Sequence, residues 1–298
     1  YGITRKQEFP VTGSTAPYAY RYSRMDELKA HLNEEVPAGF VQVRGGKEIL
    51  GYVKKDWAMA VASRTSDWRL TEHMSLSEEA EVTPTKRAAA MIHAAEILDM
   101  LGLLQNPQHT ELVDVRASVL DPVYCQAPRN LARAFGLLTT SVRMTGYLPD
   151  GTVMCAKRLA TKSIGGGLWD SLAAGLVKAS ETTEQAIYRE LFEEAGLTSN
   201  EVTLTEGGRF VQQLVVPEGM VREIVYHYDA KLSESAKPAN RDGQVMEFAT
   251  FTPDKVLNLA LGGEMMYAAG MGLVESVMRR MGQRIEDKWM HYRGQFLI

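Results

Sequence analysis

No segment of this chain is more constrained in what it can become than the run from Gly175 to Leu197. It reads Gly175-x5-Glu181-x7-Arg189-Glu190-Leu191-x-Glu193-Glu194-x-Gly196-Leu197, which gathers four carboxylates and one guanidinium around one short helix. At average residue frequencies, such a pattern arises by chance in well under about one in a million chains of this length. Residues 184–195 (EQAIYRELFEEA) are good helix formers throughout, Thr182 or Thr183 can cap the first turn, and Gly196 supplies the stop. Ala186, Ile187, Leu191 and Ala195 recur at the spacing of one buried stripe, and Glu190, Glu193 and Glu194 fall three and four apart on a neighbouring stripe. Like charges so placed cost a helix roughly 0.2 to 0.5 kcal/mol per pair, so a cation that screens them strengthens helix and site together. Hard oxygen ligands suit magnesium or manganese, and magnesium takes one or two carboxylates together with waters and substrate phosphate oxygens. Gly175 is expected in a turn where the backbone approaches that metal closely.

Acid pairs by themselves mark a solvated surface helix. Arg189, Glu181 and the two glycines outweigh that reading, because a surface helix has no need of a glycine at that distance before it. Arg189 lies four residues before Glu193 and can hold its carboxylate, while Glu181 can meet the guanidinium from the loop. Both read as orienting residues.

The whole pattern resembles the Nudix box and departs from it at no fixed position. That resemblance implies an α/β/α sandwich with a mixed sheet and hydrolysis of a nucleoside or other organic diphosphate linked to a further moiety. It also implies metal ligation by Glu190, Glu193 and Glu194, with Glu190 in contact with the attacking water. The general base differs between subfamilies, often comes from outside the box, and stays open here.

A chain of 298 residues, 45% of them apolar and 23% charged, buries a sizeable core and divides into two domains. The division expected is an α+β domain over 1–137, smaller than the Nudix-like domain over 138–298 that follows it. A net charge of −4 with no Lys/Arg-rich block argues against nucleic acid as partner and for a small-molecule diphosphate. No apolar run has the length of a membrane span and residues 1–30 are too polar for a signal peptide, so a cytoplasmic protein is expected, with Tyr1 a trimmed or processed end. Cys125 and Cys155 are too few for a disulfide framework and are expected reduced in the interior.

In the first half, DELKAHL (26–32) reads as a short helix, and FVQV (40–43) and EILGYV (48–53) flank Gly45-Gly46 as a hairpin. Residues 85–103 form the longest helical stretch, with Pro84 before it and Gly102 near its end, and residues 128–135 form another closed by Gly136. VRMTGYL (142–148) and TVMCAKRL (152–159) pair as strands across Pro149-Asp150-Gly151. Residues 264–281 form a closing helix whose methionines pack a core or a homodimer interface, and the apolar end of the final tail docks onto a neighbour.

RNLARAFGL, VRMTGYL and AKRLATKSIGGGLWDSLAAGL together resemble a narrower Nudix group, whose appended N-terminal domain is found fused to thiamine pyrophosphokinase in fungi. The chain keeps Arg158, Lys162, Gly167, Asp170, Ala174, Gly175, Asn240-x-Asp242-Gly243 and Phe248 of that group's pattern; it departs at Trp169, Leu176 and Gln244. The resemblance implies thiamine diphosphate, or a damaged analogue, as substrate. Gln244 removes an acidic candidate base, and Glu247 is its substitute, with a surface strand glutamate the competing reading. Arg158 and Lys162, just ahead of Gly165-Gly166-Gly167, are candidates for the phosphate oxygens, and Trp169 either stacks on a flat heteroaromatic ring or belongs to the core. The glycines form no P-loop, and His227 and His93 read as ordinary strand and helix residues. Two other classes remain. A Nudix-fold isomerase depends on a cysteine and a loosened box, whereas here the box is intact and Cys155 falls before it in a strand, and a non-catalytic ligand sensor has no need of every carboxylate.

Overall fold

The computed structural model describes residues 28, 30–106, 110–162 and 164–282. The expected hairpin forms from β1 (Phe40–Gly45) and β2 (Glu48–Lys54), and Gly46, with φ of 56°, takes the left-handed turn position that a side chain would resist. Helix α1 (Lys55–Ala62) leads to β3 (Trp68–Leu70) and β4 (Met74–Leu76), which complete a four-stranded sheet of order β2-β1-β4-β3. After α2 (Glu78–Glu81), helix α3 (Pro84–Met100) starts where Thr83 accepts the Lys86 amide and stops before Gly102. A two-stranded sheet of β5 (Leu112–Val115) and β6 (Cys125–Pro128) is followed by α4 (Arg129–Ala134), ended by Gly136 at φ 51°. Trp68 sits at the centre of this core, edge-on to Phe135 and donating its indole N–H to the Ala90 carbonyl.

The second half is one mixed seven-stranded sheet between helices. Its strands are β7 (Leu138–Tyr147), β8 (Val153–Arg158), β9 (Trp169–Asp170), β10 (Ala173–Leu176), β11 (Val202–Val216), β12 (Gly219–Leu232) and β13 (Val245–Phe251). Its helices are α5 (Thr183–Ala195), α6 (Pro253–Leu261) and α7 (Tyr267–Arg280). The order is β11-β12-β7-β8-β13; β12 and β7 run parallel and the other pairs antiparallel. Helix α5 covers one face through Ile187 and Leu191 against Val142, Met144 and Leu172. Helices α6 and α7 cover the other through Val256, Leu273 and Val277 against Tyr147, Val153 and Cys155. The protein is thus an α/β/α sandwich with a mixed sheet, preceded by a smaller α+β layer.

Strand β7 begins at Leu138, ahead of the expected 142, because Leu138–Ser141 pair with Arg222–Val225 of β12, a partner far along the chain. Strands β7 and β8 pair only at Gly146–Met154 and Tyr147–Val153, then part. Into the opening, β10 adds to the freed edge of β7 and β9 to that of β8. This split positions the site.

Of the methionines in residues 264–281, Met265, Met271 and Met278 are buried within the chain, Met266 is partly buried, and Met281 is 44% exposed. Both cysteines are buried free thiols, and burial pushes each up to about 12, so neither is a nucleophile. Arg222 joins the two halves, donating to the carbonyls of Leu50 and Gly136 while its guanidinium lies over Tyr52. Of the expected helix at 26–32, residues 26, 27 and 29 lie outside the described residues, as does the final tail; Leu28 and Leu32 are buried against Ala268 and Met271.

Candidate active site

Thr182, rather than Thr183, caps α5. Its hydroxyl accepts the Gln185 amide at 3.1 Å, and the Gln185 side chain accepts the Thr182 amide at 2.9 Å. Thr183 instead meets the Tyr228 hydroxyl. Gly196, at φ 68°, closes the last turn onto the Phe192 carbonyl. Thr182→Ala should cost about 1 kcal/mol in urea unfolding; an unchanged midpoint would mean the cap contributes nothing to holding the helix.

Ala186, Ile187, Leu191 and Ala195 are all buried, as their spacing requires. At about 100° per residue, however, Glu190 and Glu194 project inside the arc of that stripe and only Glu193 falls at its edge. The three acids therefore do not share one outer patch. Glu194 accepts the Ala174 amide of β10 at 2.9 Å, and the Glu190 side chain is only 13% exposed. Gly175 lies within β10, not in a turn, and the Glu190 carboxylate occupies the space a Cβ there would need. Glu193 is 44% exposed at the rim.

Arg189 organises these groups. It grips Glu181 bidentately at 2.8 and 2.9 Å, donates to Glu190 at 2.6 Å and to Glu193 at 3.3 Å, and reaches the Leu176 carbonyl at 2.9 Å. With its donors so committed, Arg189 orients carboxylates. Burial pushes Glu181 up, but Arg189 and the Lys178 amide outweigh it and hold the carboxyl below the usual range. Burial raises Glu190 despite Arg189. Burial, reinforced by the Glu190 charge, pushes Glu194 up to about 8.

Among the described residues, no three histidine, cysteine, aspartate or glutamate side chains stand ready as a coordination group. Glu193 is turned to Arg189, which leaves Glu190 and Glu194 as the inward pair. Two buried carboxyls that repel each other, with only oxygen donors, fit a hard divalent cation that completes its shell with water and phosphate oxygens.

Three of the residues expected to bind substrate or act as base stand otherwise. Arg158, expected on phosphate, gives its guanidinium to Asp170 at 2.7 Å and to the Ile164 carbonyl at 3.1 Å, which braces the glycine-rich turn. Trp169 packs edge-on against Phe251 in the α6/α7 layer, away from the helix that carries the glutamates, so it is not placed as a stacking platform there. Glu247 is exposed on the edge strand β13 and pairs with Lys157, whose ammonium lies over Trp169 on that same far layer, so it does not reach the glutamates of α5 as a base. Lys162 stays with the site: burial and the Arg158 charge lower its pKa, and Glu194, Asp170 and Asp242 draw on its ammonium.

Sequence reading passed over Asp170 and Arg143 as site residues. Asp170 is 5% exposed and takes Arg143 at 2.8 Å as well as Arg158. Its place in GLWDSLAAG, next to the glycine run, was the available signal.

A family model for the NUDIX domain matches residues 139–268, the span that holds this sheet, its split and α5. Over those residues the chain is similar to the NUDIX domain family. Nudix hydrolase 24, chloroplastic, of Arabidopsis thaliana is 24% identical over 220 residues, 72% of this chain and 60% of that protein. Nudix hydrolase 20, chloroplastic, of the same plant is 29% identical over 169 residues, 55% and 45% of the two chains. The chain thus spans about half the length of these curated relatives. An RNA pyrophosphohydrolase of Psychromonas ingrahamii is 38% identical over 81 residues, 26% of this chain and 44% of that one. A solved Deinococcus radiodurans structure is similar at 21% identity and a TM-score of 0.44, over 57% of this chain and 98% of that one. No helix among the described residues is long and apolar enough to cross a membrane.

Proposed function

We propose that this chain hydrolyses an organic diphosphate with the help of magnesium or manganese. The observation that carries the reading is a buried pair of carboxyls against β10, Glu190 held by Arg189 and Glu194 by the Ala174 amide. Glu190 and Glu194 would hold the metal, with Glu193 at the rim. Bound there, a divalent cation lowers the pKa of water and stabilises charge on the phosphates. The chain's own work is positional. Arg189, itself held by Glu181, keeps Glu190 aimed at the position of the attacking water, the Ala174 amide keeps Glu194 in place, and Lys162 neutralises phosphate oxygens. Water adds to phosphorus, the anhydride P–O bond breaks, and the proton lost by water leaves to solvent.

The substrate proposed is thiamine diphosphate or a damaged analogue, cleaved to the monophosphate and inorganic phosphate. Its support is the Arg158, Lys162, Gly167, Asp170 and Asn240-x-Asp242-Gly243 pattern around the site. Residues 1–137 and 138–298 would act as two units, in a cytoplasmic setting. Phosphate release with magnesium tests this against thiamine diphosphate, oxythiamine diphosphate, ADP-ribose, nucleoside triphosphates, nucleotide sugars and a 5′-triphosphate RNA. Thiamine compounds should turn over fastest. A preference for ADP-ribose or another nucleotide keeps the diphosphate chemistry and removes the thiamine assignment, and silence throughout moves the reading to a ligand sensor.

A further inference from the structure

The gap between β7 and β8 is closed by a single buried carboxylate. Asp170 accepts Arg143 of β7 and its own neighbour's amide, that of Ser171, at Oδ1, each at 2.8 Å, and Arg158 of β8 at Oδ2 at 2.7 Å. Each partner leads to a different part of the site. Through Arg158 the contact reaches the Ile164 carbonyl, and the Arg158 backbone carbonyl also takes the Gly167 amide, so the turn that carries Lys162 hangs from this residue. Through Ser171 the chain leads to β10: the Leu172 amide just before it docks on the Met144 carbonyl, the Ala174 amide holds Glu194, and Gly175 makes room for Glu190.

A buried Arg–Asp–Arg triad is weak evidence of stabilisation, because apolar residues of similar volume often serve a core as well or better. Here the cost is visible: among the described residues, the Nε atoms of both arginines and the Ser171 hydroxyl are buried without a partner. What the triad provides is a defined distance between two splayed strands and the two catalytic segments attached to them. We infer that Asp170 is a positioning residue, which sets the Lys162 turn and the Ala174–Gly175 strand in register across the β7/β8 split. The inference rests on the proposed hydrolase activity for one of its readouts and not for the other.

The test is Asp170→Asn, which keeps the shape and loses the charge that holds both arginines. Turnover per folded molecule on the best panel substrate should fall roughly 30- to 100-fold, and manganese affinity, from water-proton relaxation without substrate, should weaken about tenfold. Arg158→Lys keeps a cation for Asp170 but loses the second donor that reaches Ile164, and should raise KM about tenfold while kcat stays within about threefold. If Asp170→Asn does not fold, that KM-against-kcat split decides. A variant with a lower melting temperature but unaltered kcat, KM and manganese affinity per folded molecule would make Asp170 a strut only and overturn the inference. If the unaltered protein is silent on every substrate, the hydrolase reading fails by itself, and manganese affinity alone decides the role of Asp170.

Discussion

Glu194→Gln should lower turnover by at least about three orders of magnitude, because it removes one of the two buried carboxylates proposed to hold the metal and stabilise charge at the reacting phosphate. The same change should make the metal-free protein less sensitive to alkali. Glu194 is pushed from 4.5 up to about 8 in the folded state, so the folded protein binds more protons than the unfolded chain between those values. The stability that goes with the protonated carboxyl is complete below about pH 4.5 and is lost as pH rises through about 8. Glu190, raised as well, adds to the loss with the same sign. With EDTA present, the unaltered protein should be weaker in urea at pH 9 than at pH 5, by an amount on the order of a few kcal/mol. Magnesium should restore it at pH 9, since metal and proton compete for the same oxygens. The Gln variant should show a shallower slope and little rescue. Parallel urea profiles for the two proteins, or turnover within tenfold of the original, would remove Glu194 from the site.

Gly175→Ala is the second change with a large expected effect. Its Cβ falls where the Glu190 carboxylate lies, so either Glu190 or β10 must move. Such overpacking costs about 1 to 3 kcal/mol in a well-packed region. Displacing Glu190 also breaks its 2.6 Å contact with Arg189. Turnover should fall about 100-fold or more, and manganese affinity should fall with it. Titration of manganese together with initial rates checks both, and a fully active alanine variant would show that Glu190 acts from another position.

The helix that carries the glutamates was legible because its signals are local. Thr182, Gln185 and Gly196 determine where it begins and ends, and Ala186, Ile187, Leu191 and Ala195 determine which face is buried. The hairpin about Gly46 and the ends of α3 were legible for the same reason. Gly175 was marked as essential, but its purpose was misread: it makes room for Glu190 rather than turning the chain. Arg158, Trp169 and Glu247 have side-chain types that suit phosphate, a flat ring and a proton, but each is claimed by a partner from another element: Asp170, Phe251 and Lys157.

The sequence by itself determined the helix, its glutamates and the mixed α/β pattern, because caps, stripes and turn glycines act over a few residues and need no distant partner. Only the tertiary structure decided that β7 and β8 part beyond Tyr147 and Val153, that Asp170 closes the gap between Arg143 and Arg158, and that Glu190 and Glu194 face inward onto β10. Those facts depend on which strand edges meet and how deeply a charge is buried, and both are set by contacts between residues far apart in the chain.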